Sequence, residues 1–257
     1  MALGEVARLV GDKYPKATMI DIGANIGDSA ALIRKHGDFP LLCVEGNPSF
    51  GQLLAENIQR IGGDIEVEPS FIGPEGTAVA PDQILDDEKG SSRVVCDGAP
   101  ARGGEAARMI GLQTLLGKHP RFANPRLVKI DTDGYDFFII TTSIDLLSRL
   151  KPVIFYECAI FERPGGPDES INAMRALIAG GYRHFIVYDN FGNFLVHLTE
   201  NDMGKFIDLI VYLISNAVNG TAVYYYDICA FHGNDGDVFN NVRDAEVAHF
   251  TRTKQPT

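Results

Sequence analysis

Cysteine is scarce in this chain. There are four in 257 residues, Cys43, Cys96, Cys158 and Cys229, and no Cys-x-x-Cys pair among them. Three lie inside apolar runs. They read as small buried hydrophobes in a reducing, cytoplasmic compartment, not as a disulfide frame or a zinc site. Basic residues are few as well: 23 Lys and Arg stand against 34 Asp and Glu, a formal charge of −11. A net acidic surface attracts neither a nucleic-acid backbone nor an anionic membrane, so neither is expected as the main partner. Long apolar runs are missing too. No stretch approaches the ~18 uninterrupted apolar residues of a transmembrane helix. Residues 1–12 lack the basic, apolar and small-residue order of a signal peptide.

What remains is ordinary for a globular chain, with 45% hydrophobic and 22% charged residues. At about 150 residues per domain the length allows one to two domains. One α/β domain over residues 1–257 is expected. Glycine is plentiful, 27 residues, above the usual ~7%. Those glycines either make turns or cradle a ligand.

The chain alternates strand and helix. Apolar runs at 17–22, 41–44, 65–72, 127–130, 153–156 and 182–188 read as strands. Helices are expected at 27–35, 48–61, 137–147 and 169–177. In the second of these Phe50, Leu53, Leu54, Ile58 and Ile61 recur at three- and four-residue spacing. Gly62-Gly63 and Gly180-Gly181 close the second and fourth. Continuous apolar strands joined by crossover helices mean a parallel sheet buried on both faces, a doubly wound three-layer sandwich.

Two parts deviate from this alternation. Residues 73–125 are far longer than a usual strand–helix loop. Short strands at 76–80 and 93–96, with an acidic turn at 86–88 between them, are expected there. A Gly- and Ala-rich loop at 100–105 follows, then an edge strand and helical turn at 109–116. The second part spans 189–232. Turn residues at 189–193 predict a hairpin into 194–198. A nearly all-apolar helix at 202–216 and an aromatic strand at 223–231 come next. That helix reads as buried on several sides; a lid over an apolar substrate and a dimer surface are the alternatives.

The chemistry-bearing signal follows the first strand: Asp21-Ile22-Gly23-Ala24-Asn25-Ile26-Gly27-Asp28. A glycine past a strand lets the chain turn and a ligand approach. The helix behind it offers free N–H groups. Glu45 ends the second strand, about twenty residues past the first glycine, where a carboxylate accepts both hydroxyls of an adenosine ribose. A dinucleotide loop is Gly-x-Gly-x-x-Gly, but here Asn25 stands where the second glycine approaches a pyrophosphate. A P-loop needs Gly-Lys-Ser/Thr, and Asp28-Ser29 follows Gly27 instead. S-adenosylmethionine fits, with a ribose, an amino-acid head, a sulfonium and no phosphate. A nicotinamide-dependent oxidoreductase and a non-catalytic binding protein of the same fold are the competing readings.

A third strand end carries Lys129-Ile130-Asp131-Thr132-Asp133-Gly134-Tyr135-Asp136, and Val153 to Glu157 follow downstream. Together with the 21–28 loop and Glu45-Gly46-Asn47-Pro48, this set resembles the FkbM-type S-adenosylmethionine-dependent methyltransferases over residues 17–190. The family pattern Lys-Ile-Asp-Val-Glu-Gly-x-Glu is met with Thr132, Asp133 and Asp136 in place of Val, Glu and Glu, and Ser91-Ser92 matches a family serine pair. Gly111-Leu112-Gln113 departs from the family's Thr-Leu-Asp.

The resemblance implies a Rossmann-like class I sheet of seven mostly parallel strands in order 3-2-1-4-5-7-6, with one antiparallel strand and helices on both faces. It implies methyl transfer, most often to a hydroxyl of a natural product, small molecule or saccharide. Gly23, Ala24, Asn25 and Gly27 would then contact the methionine part, with Asp21 facing its ammonium. Glu45 would hold the ribose and Asn47 line the adenine side. Ser70, Phe71 and Ile72 would flank the adenine, and Asp131 and Thr132 lie near the sulfonium.

An alcohol acceptor must also lose a proton. The candidate bases are Asp133, Asp136, Glu157 and His184, with Asp133 first because it lies just past the fourth strand. The alternatives are a helix cap for Asp133, substrate orientation or a bond to loop amides for Glu157, and a structural role for His184. Asp136 reads as a first-turn charge and Lys129 as the partner of a carboxylate. Asp131, Asp133, Asp136 and Glu157 are hard oxygen ligands that suit a divalent metal, but no metal is expected, because the Asp-Asn pair that some O-methyltransferases carry after the fifth strand is replaced by Glu157-Cys158.

Overall fold

Four-residue apolar runs become strands when both of their faces are covered. In the computed structural model, which describes residues 2–86, 92–94, 107–162, 165–220 and 222–253, this occurs at β1 (Met19–Ile22), β2 (Leu41–Val44) and β4 (Leu127–Ile130), whose residues are all buried. β3 (Ile65–Glu68), β5 (Val153–Cys158), β6 (Tyr182–Asp189), β7 (Phe194–Thr199) and β8 (Tyr226–His232) complete the main sheet. Its order is 3-2-1-4-5-8-6-7. The strands β3-β2-β1-β4-β5 pair in parallel, with Met19 level with Leu41 and Leu127, and Leu127 level with Val153.

This is the expected order with one strand added. The 189–193 turn is built as forecast: Asp189 accepts from the N–H of Phe191 and Asn193, and Gly192 takes φ 76°. A hairpin must return antiparallel, so β7 pairs with the outer edge of β6. The sheet therefore has eight strands, not seven. Two of them run antiparallel, β7 and β8, where one was expected.

Alternate side chains feed two cores. Met19, Leu41, Cys43, Leu127 and Phe155 pack under α1 (Ala2–Lys13), α2 (Asp28–His36), α3 (Pro48–Ile61) and α9 (Gly236–Thr253). Ile20, Leu42, Val128, Ile154 and Tyr156 pack under α4 (Leu112–Lys118), α5 (Asp136–Thr142), α6 (Ile144–Leu150), α7 (Gly166–Ala179) and α8 (Met203–Asn219).

Four readings are corrected. The third strand stops at Glu68, and Ile72 instead bridges Ile110. The helix expected over 137–147 is broken at Ser143 into α5 and α6. Helix α1 is amphipathic, burying Leu3, Val6, Ala7 and Val10; neither it nor α9 was foreseen. Helix α8 buries one side only, through Phe206, Ile210 and Leu213, while Val211 is 52% and Val218 83% exposed. It lies beside the edge strand β7, where among the described residues no further layer covers its outer face.

In the long insertion Ala78–Val79 pairs with Ala107–Arg108, and Ile84–Asp86 with Ser92–Val94. Asp87 and Glu88 of the acidic turn, Ser91, Cys96 and the 100–105 loop lie outside the described residues. Among the described residues no helix is long and apolar enough to cross a membrane.

Candidate active site

Parallel strands ending level place their following loops around one crevice. Here it measures ≈ 590 Å³ and sits beyond the C-terminal ends of β1, β2, β4 and β5. Of the residues singled out from sequence, Gly23, Asn25, Glu45, Ser70, Phe71 and Ile72 line one part of it. Asp131, Thr132, Asp133 and Glu157 line the other. Asp21, Ala24, Gly27, Asn47 and His184 do not line it.

At the β1–β2 end the backbone does most of the work. Gly23 has φ 78°, and a Cβ there would overlap the carbonyl oxygen of Asp131. Its glycine is therefore required first by the passing β4 backbone. Asn25 adopts φ 47°, a left-handed conformation that Asn tolerates better than most residues. Glu45, 9% exposed, is held at both oxygens: Oε2 accepts the Asn25 N–H at 2.8 Å and Oε1 the Asn47 N–H at 2.7 Å. Burial raises its pKa, and the two amides oppose that rise. Asn47 is not a wall of the crevice. Its side chain accepts the Ser49 N–H and caps α3, with Pro48 in the first turn. Phe71 lies over Gly46, where a Cβ would run into the ring.

Asp21 does not face the crevice. It is fully buried, and its counter-charge is the chain's own Lys129, whose Nζ stands 3.3 Å away. The contact is ionic only, since neither Asp21 oxygen is aligned for a hydrogen bond. Burial pushes the Asp21 carboxyl up to about 6, against the pull of Lys129. The same Nζ lies 3.0 Å from Asp131 and donates to the Gly23 carbonyl at 3.4 Å. Burial lowers the Lys129 pKa, but attraction to Asp131 and Asp21 outweighs it and holds the value well above the ordinary one. One buried cation thus ties the β1 and β4 ends together.

At the β4–β5 end carboxylates crowd. Asp133 takes φ 49° and Gly134 φ 116°, a turn that leads into α5. Helix α5 is capped by Tyr135 without a side-chain bond, so Asp133 is not its cap. Asp136 is more than a first-turn charge. It is buried, and its Oδ2 accepts from the Thr132 N–H at 3.2 Å and the Thr132 hydroxyl at 2.9 Å. Burial, and then Asp131, raise its pKa to about 6.

Carboxylate oxygens of Asp131, Asp133 and Glu157 all lie within 4.8 Å of one another. Like charges so close repel one another, and the Lys129 ammonium beside Asp131 offsets part of that charge. Burial, then Asp131, Asp136, Asp133 and Asp227, push the Glu157 carboxyl well above its ordinary range. Asp227 was not foreseen. Neither was Tyr225, two residues earlier on the same chain segment, which lines the crevice. The signal was available: Tyr225 and Asp227 sit two apart at the start of the aromatic strand, so they face one way.

His184 belongs elsewhere. Its ring stacks on Phe239 of α9 with centroids 4.4 Å apart. Burial lowers its pKa, as for a neutral ring in an aromatic packing layer.

The Methyltransferase FkbM domain family model matches residues 21–184. No curated protein matches the chain in sequence. Among solved structures, it is similar to methyltransferase FkbM from Methylobacillus flagellatus KT, at 17% identity and TM-score 0.46, covering 66% of this chain and 39% of that one. The chain thus spans about two fifths of that protein's length. Precorrin-6y C5,15-methyltransferase from Geobacter metallireducens GS-15 is 12% identical with TM-score 0.44, covering 89% of this chain and 87% of that one. Cofactor-bound Rv0187 from MTB is 15% identical with TM-score 0.45, covering 89% and 78%.

Proposed function

The chain belongs to the methyltransferase FkbM family, and on that premise we propose that its crevice binds S-adenosylmethionine and methylates a hydroxyl of a small molecule or saccharide, the whole chain serving as one domain. Membership of a methyltransferase family sets the nicotinamide reading aside. The observation that carries the proposal is Glu45. Each of its oxygens accepts one backbone amide, and a carboxylate oxygen has room for two such bonds. The remaining lone pairs suit the two hydroxyls of a ribose.

The neighbouring residues fit the same ligand. Phe71 and Ile72 offer an apolar wall for an adenine ring beside Gly46. The acidic lining favours a cation over a polyphosphate. When bound, the cofactor supplies an electrophilic methyl group. The chain's own contribution is to orient the acceptor and accept its hydroxyl proton, and the position of Asp133 and Glu157 in the crevice lining supports them in this role. An uncharged acceptor suits the carboxylate lining; nucleic acid does not. The exposed apolar face of α8 supports a homodimer. Cys43, Cys158 and Cys229 are buried free thiols, which supports a reducing, cytoplasmic setting.

Calorimetry with S-adenosylhomocysteine tests the cofactor assignment. Saturable binding is expected, and no heat at millimolar ligand sinks it. Tritium transfer from labelled S-adenosylmethionine to a panel of phenols, sugars and amines then separates hydroxyl acceptors from others.

A further inference from the structure

Strands β5 and β8 run antiparallel, and Asp227 stands directly opposite Glu157. Residues so paired have Cβ atoms about 4.5–5.5 Å apart on one face of the sheet, where like charges repel. The pairs on either side, Cys158 with Tyr226 and Tyr156 with Ile228, carry no charge to separate them. Lys129 is already committed to Asp21 and Asp131. Glu157 lines the crevice and Asp227 does not, so Asp227 reaches the site through Glu157.

We propose that Asp227 is a positioning residue for the methyl transfer: across the β5–β8 pair it shares one proton with Glu157, and the pair thereby presents one anionic oxygen to the acceptor hydroxyl. The inference rests on the methyltransferase reading above. The acceptor O–H proton passes to the anionic carboxylate oxygen. The acceptor oxygen forms the new C–O bond to the methyl carbon, the C–S bond breaks with its electron pair left on sulfur, and the neutral thioether departs. The proton then leaves the carboxyl pair for water, so one proton is released per methyl transferred.

The electrostatics agree with this geometry. Burial, then Asp131, raise Asp227 to about 7, with Lys129 opposing. The groups facing the pair are Lys129, Asp131 and Asp133 from β4 and its loop, Asp136 from α5, and Tyr225 from the β8 side. Asp131, Asp133 and Asp136 favour a retained proton, and Lys129 opposes it.

The test uses the full chain with carbon-13 carboxyl-labelled Asp and Glu, followed by NMR from pH 4 to 9. Signals are assigned by their loss in Glu157→Gln and Asp227→Asn. One carboxyl of the pair is expected to stay protonated at pH 7 in the wild type. In Asp227→Asn the Glu157 midpoint should fall by at least about one pH unit. With the best hydroxyl probe of the acceptor panel, Asp227→Asn should lower kcat about tenfold or more and move the rising pH limb downward, while Asp227→Glu restores both. Affinity for S-adenosylhomocysteine should stay within about twofold in both Asp227 variants.

A Glu157 midpoint near the ordinary carboxyl value in the wild type, or one unmoved by Asp227→Asn, overturns the proposal. So does activity that requires added Mg²⁺ and vanishes with chelator, because a cation then replaces the proton. Wild-type protein that fails to bind S-adenosylhomocysteine defeats the cofactor reading instead, and the NMR titration reads the carboxyl pair regardless of that result.

Discussion

The two ends of the crevice use the same residue type in opposite ways. Glu45 is buried among donors, with one backbone amide on each oxygen. Glu157 is half-buried among acceptors, with Asp131, Asp133, Asp136 and Asp227 around it. Burial raises both carboxyls, but only at Glu45 do hydrogen bonds work against it. A carboxylate is therefore held as a fixed acceptor or pushed toward keeping its proton according to its neighbours, not its identity. Lys129 stands between the two ends, facing Asp21 on one side and Asp131 on the other.

Removing Lys129 should break the comparison most severely. Lys129→Met leaves Asp21 buried without a counter-charge, and a loss of about 3–5 kcal/mol in unfolding free energy is expected. Urea denaturation measures it, and a loss under about 1 kcal/mol would deny Lys129 its place as the tie between the two ends.

The binding end is broken next. Glu45→Ala removes the acceptor of two amides and of the proposed ribose, so affinity for S-adenosylhomocysteine should fall about 10- to 100-fold. Unchanged calorimetric affinity refutes the ribose assignment.

The crowded end is exposed by pH. Asp21 and Asp136 are raised to about 6 and Asp227 to about 7, so in the folded state each holds its proton more tightly than in the unfolded chain. The stability this gives is fully present below the ordinary carboxyl value near 4 and is lost as pH climbs through 6 to 7. The ligand-free protein should therefore melt roughly 5 °C lower at pH 8 than at pH 5. Asp227→Asn should flatten that slope, and a wild-type melting temperature that rises over the interval contradicts the crowding.

The smallest effect is expected outside the crevice. His184→Phe preserves the stack on Phe239, so cofactor affinity should change by less than about twofold; a tenfold loss returns His184 to the site.

Much of this was legible along the chain. Buried parallel strands are continuous apolar runs, and 41–44 and 127–130 were bounded to the residue. Helix α3 was also bounded correctly, because Pro48, the apolar spacing and Gly62 mark its start, face and end. Glu45 could be placed because a strand end and a glycine loop fix it relative to each other. Helix α9 escaped, since its charged residues break up the apolar periodicity. The outer face of α8 escaped for the opposite reason: a helix apolar all round does not say which sides are covered.

Local sequence settled where strands end and which residue types gather there, because backbone periodicity and turn chemistry act over a few residues. It determined a doubly wound sheet, a glycine turn at Gly23 and acidic groups after four strands. The tertiary structure decided what each acid does. It turned Asp21 inward onto Lys129, set amides on Glu45, placed Asp227 across from Glu157 and sent His184 to α9. Apart from the Asn47 amide beside Glu45, those assignments depend on neighbours far along the chain, such as Asn25 for Glu45 and Lys129 for Asp21, and electrostatic environment is fixed by distance in space, not along the chain.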